Sequence, residues 1–212
     1  MLQIRFHSLI TSALILGLLS GGASAATYTW DGAGGSNALW SSKQNWAENV
    51  DLTGGTPHIL IFDTSLRLNN TNDVVNLQVS NMTFNGTAGL FVLGGTNQIT
   101  FTAGGITNNS TNLQTINMDL GLNVTITVAT TSGNVAIGGA ISGAGGITKT
   151  GTNTLTLSSA TNSYTGATSV NQGTLLVNGN IATSATTVAS GATIGGSGTT
   201  GALTVNTGGF IN

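Results

Sequence analysis

Any chemistry in this chain has to come from very few side chains. Past residue 25 the acids are Asp31, Glu48, Asp51, Asp63, Asp73 and Asp119, the bases are Lys43, Arg67 and Lys149, and the one histidine is His58. Glycoside hydrolysis needs two carboxylates about 5–9.5 Å apart. Asp51 and Asp73, 22 residues apart, are the one pair that neighbouring turns of a repetitive fold could bring together. No repeat register runs through that part of the chain, so chance spacing explains the pair better. A polysaccharide lyase would want a cation beside its substrate carboxylate and a base of shifted pKa, but Arg67, Lys43 and Lys149 are scattered. His58, between Pro57 and Ile59-Leu60-Ile61, reads as the start of a strand rather than a general base. The serines form no Gly-x-Ser-x-Gly elbow with a matching histidine and acid.

Metal binding has as little to draw on. Calcium-binding β-rolls repeat Gly-Gly-x-Gly-x-Asp, and the double glycines at Gly138-Gly139, Gly145-Gly146 and Gly195-Gly196 have no Asp at that offset. Zinc takes several Cys, His or carboxylate ligands, and cysteine is absent. The sequence therefore assigns no catalytic, cofactor-binding or metal-binding residue and reads as non-enzymatic, with a carbohydrate-active β-helix as the alternative.

Composition narrows the class further. Of 212 residues, 32 are Gly, 39% are hydrophobic and only 5% are charged, with one Pro. Disordered segments combine low hydrophobicity with high net charge, so this chain reads as folded. Without cysteine, its stability must come from backbone hydrogen bonds and stacked side chains. A net charge of −2 offers no basic face for phosphates, which excludes nucleic-acid binding. At the start, MLQIRFHSLITSALILGLLSGGASA has a basic beginning, an apolar run and the small-residue ending Ala23-Ser24-Ala25. That is the pattern of a secretory signal peptide over residues 1–25. Its apolar run is shorter than the roughly 20 residues a bilayer demands, and no later segment could span one as a helix.

The elements that would position these residues follow from a period. Ser169-Val170-Asn171-Gln172-Gly173-Thr174-Leu175-Leu176 aligns without gaps with Thr187 to Ile194 and with Thr204 to Ile211. The glycine step is 18 residues from Gly173 to Gly191 and 17 from Gly191 to Gly208, which suits one coil of a β-solenoid. Stacked coils lie about 4.7–4.9 Å apart. On this alignment Val170, Val188 and Val205 form one inner column, and Leu176, Ile194 and Ile211 a second. Glycines at the bends permit backbone angles closed to other residues.

Short β-rich runs upstream, at Ile59–Phe62, Val74–Val79, Leu90–Leu93, Gln98–Thr102, Leu113–Met118, Asn123–Val128 and Asn153–Leu157, alternate with Gly, Asn, Ser and Thr clusters. No segment past residue 25 has a capped 3.6-residue apolar period. An antiparallel sandwich is the rival architecture; it explains the alternation but not the 17–18-residue register. Residues 26–62 differ in holding all three tryptophans, Trp30, Trp40 and Trp46, and the only proline. That region is expected to cap the solenoid, since terminal repeats are atypical in sequence. The competing reading is an aromatic sugar-binding platform.

The stretch Gly143-Ala144-Gly145-Gly146-Ile147-Thr148-Lys149-Thr150-Gly151, with Thr154-Leu155-Thr156-Leu157, Asn162-Ser163-Tyr164-Thr165-Gly166 and Gly173-Thr174-Leu175, closely resembles the autotransporter-associated β-strand repeat. The start, Tyr28-Thr29-Trp30-Asp31-Gly32, Trp40-Ser41, Asn45-Trp46, Pro57 and Ile61-Phe62-Asp63, is similar to that family's opening. The best match covers about 35 residues, and a weaker likeness extends over most of the chain. The resemblance implies a right-handed parallel β-helix displayed outside the cell and accounts for Lys149. It implies no particular activity, because the repeat is a scaffold. Gly166-Ala167 stands where the family often has paired glycines, and the last residues, Phe210-Ile211-Asn212, fall inside a coil.

These readings predict an all-β chain, with a signal peptide over 1–25, a cap over 26–62 and β-helix repeats over 63–212 that are incomplete at the C-terminus. The expected function is a secreted or surface-displayed scaffold or adhesin-like passenger segment, with a truncated passenger lacking activity as a further alternative. Surface glycans or matrix proteins are its expected partners, with self-association through the open final coil.

Overall fold

The structure, a computed structural model, describes residues 25–212. The expected leader, Ala25 apart, lies outside the described residues. Where a run alternates apolar and hydroxyl residues the chain forms a short strand, and where Gly or Asn interrupts it the chain turns a corner. Ile147–Thr150, Ile-Thr-Lys-Thr, shows the rule: positions 147 and 149 are buried, and 148 and 150 half-buried.

Successive turns stack in parallel to make a β-solenoid of about seven coils. One wall, eleven-stranded, runs through Ala26–Trp30, Pro57–Phe62, Leu77–Phe84, Ile99–Asn108, Ile126–Thr130, Ile147–Thr150, Thr168–Val170, Thr186–Val188 and Leu203–Val205. Leu120–Leu122 and Ile141–Gly143 complete it. An eight-stranded wall runs through Asn69–Thr71, Val92–Gly94, Gln114–Ile116, Val135–Ile137, Thr154–Leu157, Thr174–Val177, Thr193–Gly195 and Phe210–Ile211. Asn180–Ile181 pairs with Thr199–Thr200 on a small third side. Every strand pairing in these sheets is parallel, which removes the antiparallel sandwich; the antiparallel bridge between Trp30 and Trp46 lies outside the ladders. The one helical element among the described residues is a 3-10 turn at Lys43–Asn45.

Register converts sequence period into a core. Tyr28, Leu60, Met82, Ile106, Val128, Lys149, Val170, Val188 and Val205 occupy one inward column, one residue per rung. The expected column of Val170, Val188 and Val205 is therefore present.

The second expected column needs correction. Ile194 pairs with Leu175 and Ile211 with Ile194, whereas Leu176 pairs with Gly195 and points outward, half-buried. The corner after Val188 holds one residue more than the corner after Val170, with Ala192 buried beside Gly191 (φ +78°). The equal spacing from valine to glycine in each repeat hid that extra residue, and a one-residue offset in a strand exchanges inner for outer face.

At the N-terminal end the tryptophans are interior. Trp30 and Trp40 are fully buried and Trp46 nearly so. Trp46 stands edge-on to Trp30 at 5.1 Å and to Trp40 at 6.0 Å, and Phe62 stacks on Phe84 at 5.0 Å. Their indole N–H groups are all used: Trp46 donates to Trp40 O (2.7 Å), Trp40 to Asn70 Oδ1 (2.8 Å) and Trp30 to Leu66 O (3.4 Å). None of the three offers a ring face to a sugar, so the aromatic-platform reading fails on burial.

Candidate functional site

Several of the acids accept hydrogen bonds from neighbouring loops. Asp73 accepts from Ser41 N (2.8 Å) and Ser41 Oγ. The Asp51 carbonyl accepts from Tyr28 Oη (3.2 Å). Arg67, whose backbone sits at φ +47°, donates through Nε to Gly32 O. The three thus have different local partners. Glu48 accepts from Thr29 N (2.8 Å), Asp31 from Ala33 N (2.9 Å) and Asp119 from Ala140 N (2.8 Å). Thr87 and Asn85 both donate to Asp63 and hold its carboxyl below the usual range. Among the described residues no group of three His, Asp or Glu side chains is placed to hold a metal.

His58 lies within the Pro57–Phe62 strand, buried, with Nε2 2.9 Å from Thr53 O and its ring 5.0 Å from that of Tyr28. Its position matches the strand-start reading. Lys43 falls in the 3-10 turn.

Lys149 is the charged side chain that the fold brings inside. Its register partners are Val128 below and Val170 above, so its stem fills a core position that the neighbouring rungs give to valine. The ammonium reaches the corner and donates to Thr150 O (2.9 Å), Gly151 O (2.7 Å) and Gln172 O (2.9 Å). Three protons meet three carbonyls, and Gln172 belongs to the next coil. Burial pushes its pKa down to about 8. The inward direction was legible in Ile147-Thr148-Lys149-Thr150, where period-2 alternation puts Lys149 on the face of Ile147. The resemblance had explained the residue without placing it.

A second buried polar line joins the following coils. Tyr164 Oη lies 2.8 Å from Thr168 Oγ1, which lies 2.8 Å from Ser184 Oγ, which donates to Gly166 O. Burial raises the Tyr164 phenol above its ordinary value, partly offset by these hydroxyls. The line stops at Thr186, the register partner of Thr168 on the next rung, whose buried hydroxyl has no partner.

Outside, the same registers line up hydroxyls. Thr127, Thr148, Ser169, Thr187 and Thr204 form an unbroken outward column. From Thr150 to Asn212 there is no charged residue. At the last rung Leu203, Phe210 and Ile211 are exposed, beside a shallow cavity of about 120 Å³ lined by Val177, Ile194, Leu203 and Ile211 among others. This arrangement suits stacking and many weak contacts.

Residues 147–177 match the family model described as the passenger-associated-transport-repeat. No curated protein and no solved structure matches the chain. The repeat and the parallel coils together fit an autotransporter passenger repeat protein, a kind of protein that is secreted or exposed at the surface. No helix among the described residues is long and apolar enough to cross a membrane, which says nothing of a β-barrel.

Proposed function

We propose that this chain, a β-solenoid carrying a passenger-associated transport repeat, is a non-enzymatic passenger segment displayed at the cell surface, where it serves as a scaffold or adhesin-like stalk. Residues 26–62 close its N-terminal end and residues 63–212 supply the repeats. The single observation that carries the reading is the outward hydroxyl column from Thr127 to Thr204, set at a fixed rung spacing by the same registers that build the core. Each hydroxyl contact is weak, and contacts repeated along a rigid axis add through effective concentration. Surface glycans and matrix proteins are the partners this face suits, since both offer hydrogen-bonding groups in rows.

Charge sets the test. With 5% charged residues, attachment has little Coulombic attraction for salt to screen. Binding of the purified chain to glycan- or matrix-coated surfaces should change less than about twofold between 50 and 500 mM salt, a range over which charged contacts are strongly screened. Binding that collapses over that range contradicts the reading. The carbohydrate-active alternative predicts release of reducing ends from wall or matrix polysaccharides, and such release above the level of a D51N/D73N variant would replace the scaffold reading with an enzymatic one.

A further inference from the structure

One inner corner of the solenoid changes character along its length. The same corner position is held by Trp30, Phe62, Phe84, Asn108 and Thr130 in successive rungs. Aromatic stacking gives way to buried polar groups, and Asn108 and Thr130 are both fully buried. On the next rung the corner residue is Gly151, at φ +76°, where a Cβ would lie 2.5 Å from Thr130 O. No side chain fits there. Lys149, two residues earlier, supplies the missing donor from inside the core.

Each of these three donors reaches a carbonyl of the following coil. Asn108 Nδ2 donates to Asn112 O in its own coil and to Asn134 O in the following one, both at 2.9 Å. Thr130 Oγ1 shares its one proton between Asn153 O (3.0 Å) and Thr150 O (3.3 Å), both in the following coil. Lys149 Nζ donates to Thr150 O and Gly151 O and, in the following coil, to Gln172 O. In each case a donor of one coil bonds a carbonyl of the next, and at the Thr130 interface Asn153 Nδ2 also donates back to Thr130 O (3.2 Å) and Thr131 O (3.1 Å). Once two coils are stacked, a buried donor that loses its acceptor costs the full desolvation of that group, so these bonds tie each coil of this run to the next.

We propose that Asn108, Thr130 and Lys149 form a coupling line that ties the C-terminal coils, one interface after another, to the aromatic N-terminal end. Stacked repeats otherwise interact only through nearest-neighbour interfaces and can fray independently. The line concentrates that coupling at three successive interfaces, and the anchored end is the one built on Trp30, Phe62 and Phe84.

Residue-resolved amide exchange tests it, using K149M, which keeps most of the apolar stem and removes the ammonium, and T130V, which removes one hydroxyl. Asn171 N bonds to Lys149 O and Thr174 N to Asn153 O, while Asn85 N and Asn109 N bond to Phe62 O and Phe84 O in the N-terminal half. In K149M the amides from Asn171 onward should exchange about tenfold faster or more, with Asn85 and Asn109 unchanged. In T130V the faster region should begin one coil earlier, at Asn153, whose N–H bonds to Thr130 O. Uniform acceleration that includes Asn85 and Asn109, no change at Asn171 and Thr174, or loosening on the N-terminal side of the substitution would each overturn the proposal. If K149M fails to fold, T130V alone decides, because its exchange boundary reads the same coupling.

Discussion

Lys149 sets the terms at the residue scale. A lysine in a valine column would be an error in an ordinary core, yet its three protons meet three carbonyls and its stem packs between Val128 and Val170. Its lowered pKa of about 8, against 10.5 when free, means that between those values the folded chain holds fewer protons than the unfolded one. Stability should therefore rise with pH from about 8, and not fall. The rise ends near pH 10, where unfolded tyrosines ionise more readily than the buried, raised phenol of Tyr164. Thermal unfolding from pH 7 to 9.5 should show a positive slope in the natural chain and none from this source in K149M. K149M itself should lose about 1–3 kcal/mol at pH 7 because the Gly151 and Gln172 carbonyls lose the ammonium donor. Equal slopes in the two proteins would show that Lys149 does not titrate in this range.

At the scale of strands and corners, what could be read from the sequence depended on constancy of spacing. Val170, Val188 and Val205 were legible as a column because equivalent residues recur at nearly equal steps and every strand starts from the same side of the coil. Leu176 was misassigned because Ala192 lengthens one corner, and corner length is invisible to a gapless alignment. The tryptophans marked a distinct region, but only the fold shows that they turn inward and use their N–H groups there. Register makes a sharp prediction for adjacent leucines. L175A should cost about 2–5 kcal/mol, as deletion of a buried leucine side chain does, while L176A should stay below about 1 kcal/mol. Chemical denaturation of the two variants checks this, and equal costs would contradict the assigned faces.

For the whole molecule, the two ends differ. The N-terminal end carries the Trp30–Trp46 bridge and its aromatic packing, whereas the last rung presents Leu203, Phe210 and Ile211 to solvent along exposed strand edges. An edge of that kind with no charged side chain beside it invites pairing with another chain. The polypeptide of this sequence on its own should therefore self-associate in sedimentation, and L203K/I211K should shift it toward monomer. A natural chain that stays monomeric across micromolar concentrations would contradict this.

Parallel stacking of the coils is the claim on which every other statement rests, and the absence of cysteine makes it directly testable by paired cysteines. Ser169 and Thr187 are register partners on adjacent parallel strands, and Thr204 lies one rung further. Neighbouring strands are about 4.7–4.9 Å apart, within the 4.4–6.8 Å Cα separation of a disulfide, and two rungs exceed it. The account predicts that S169C/T187C closes an intramolecular disulfide under mild oxidation and that S169C/T204C does not. Closure of the second pair, or failure of the first with both thiols reactive, would contradict the parallel solenoid.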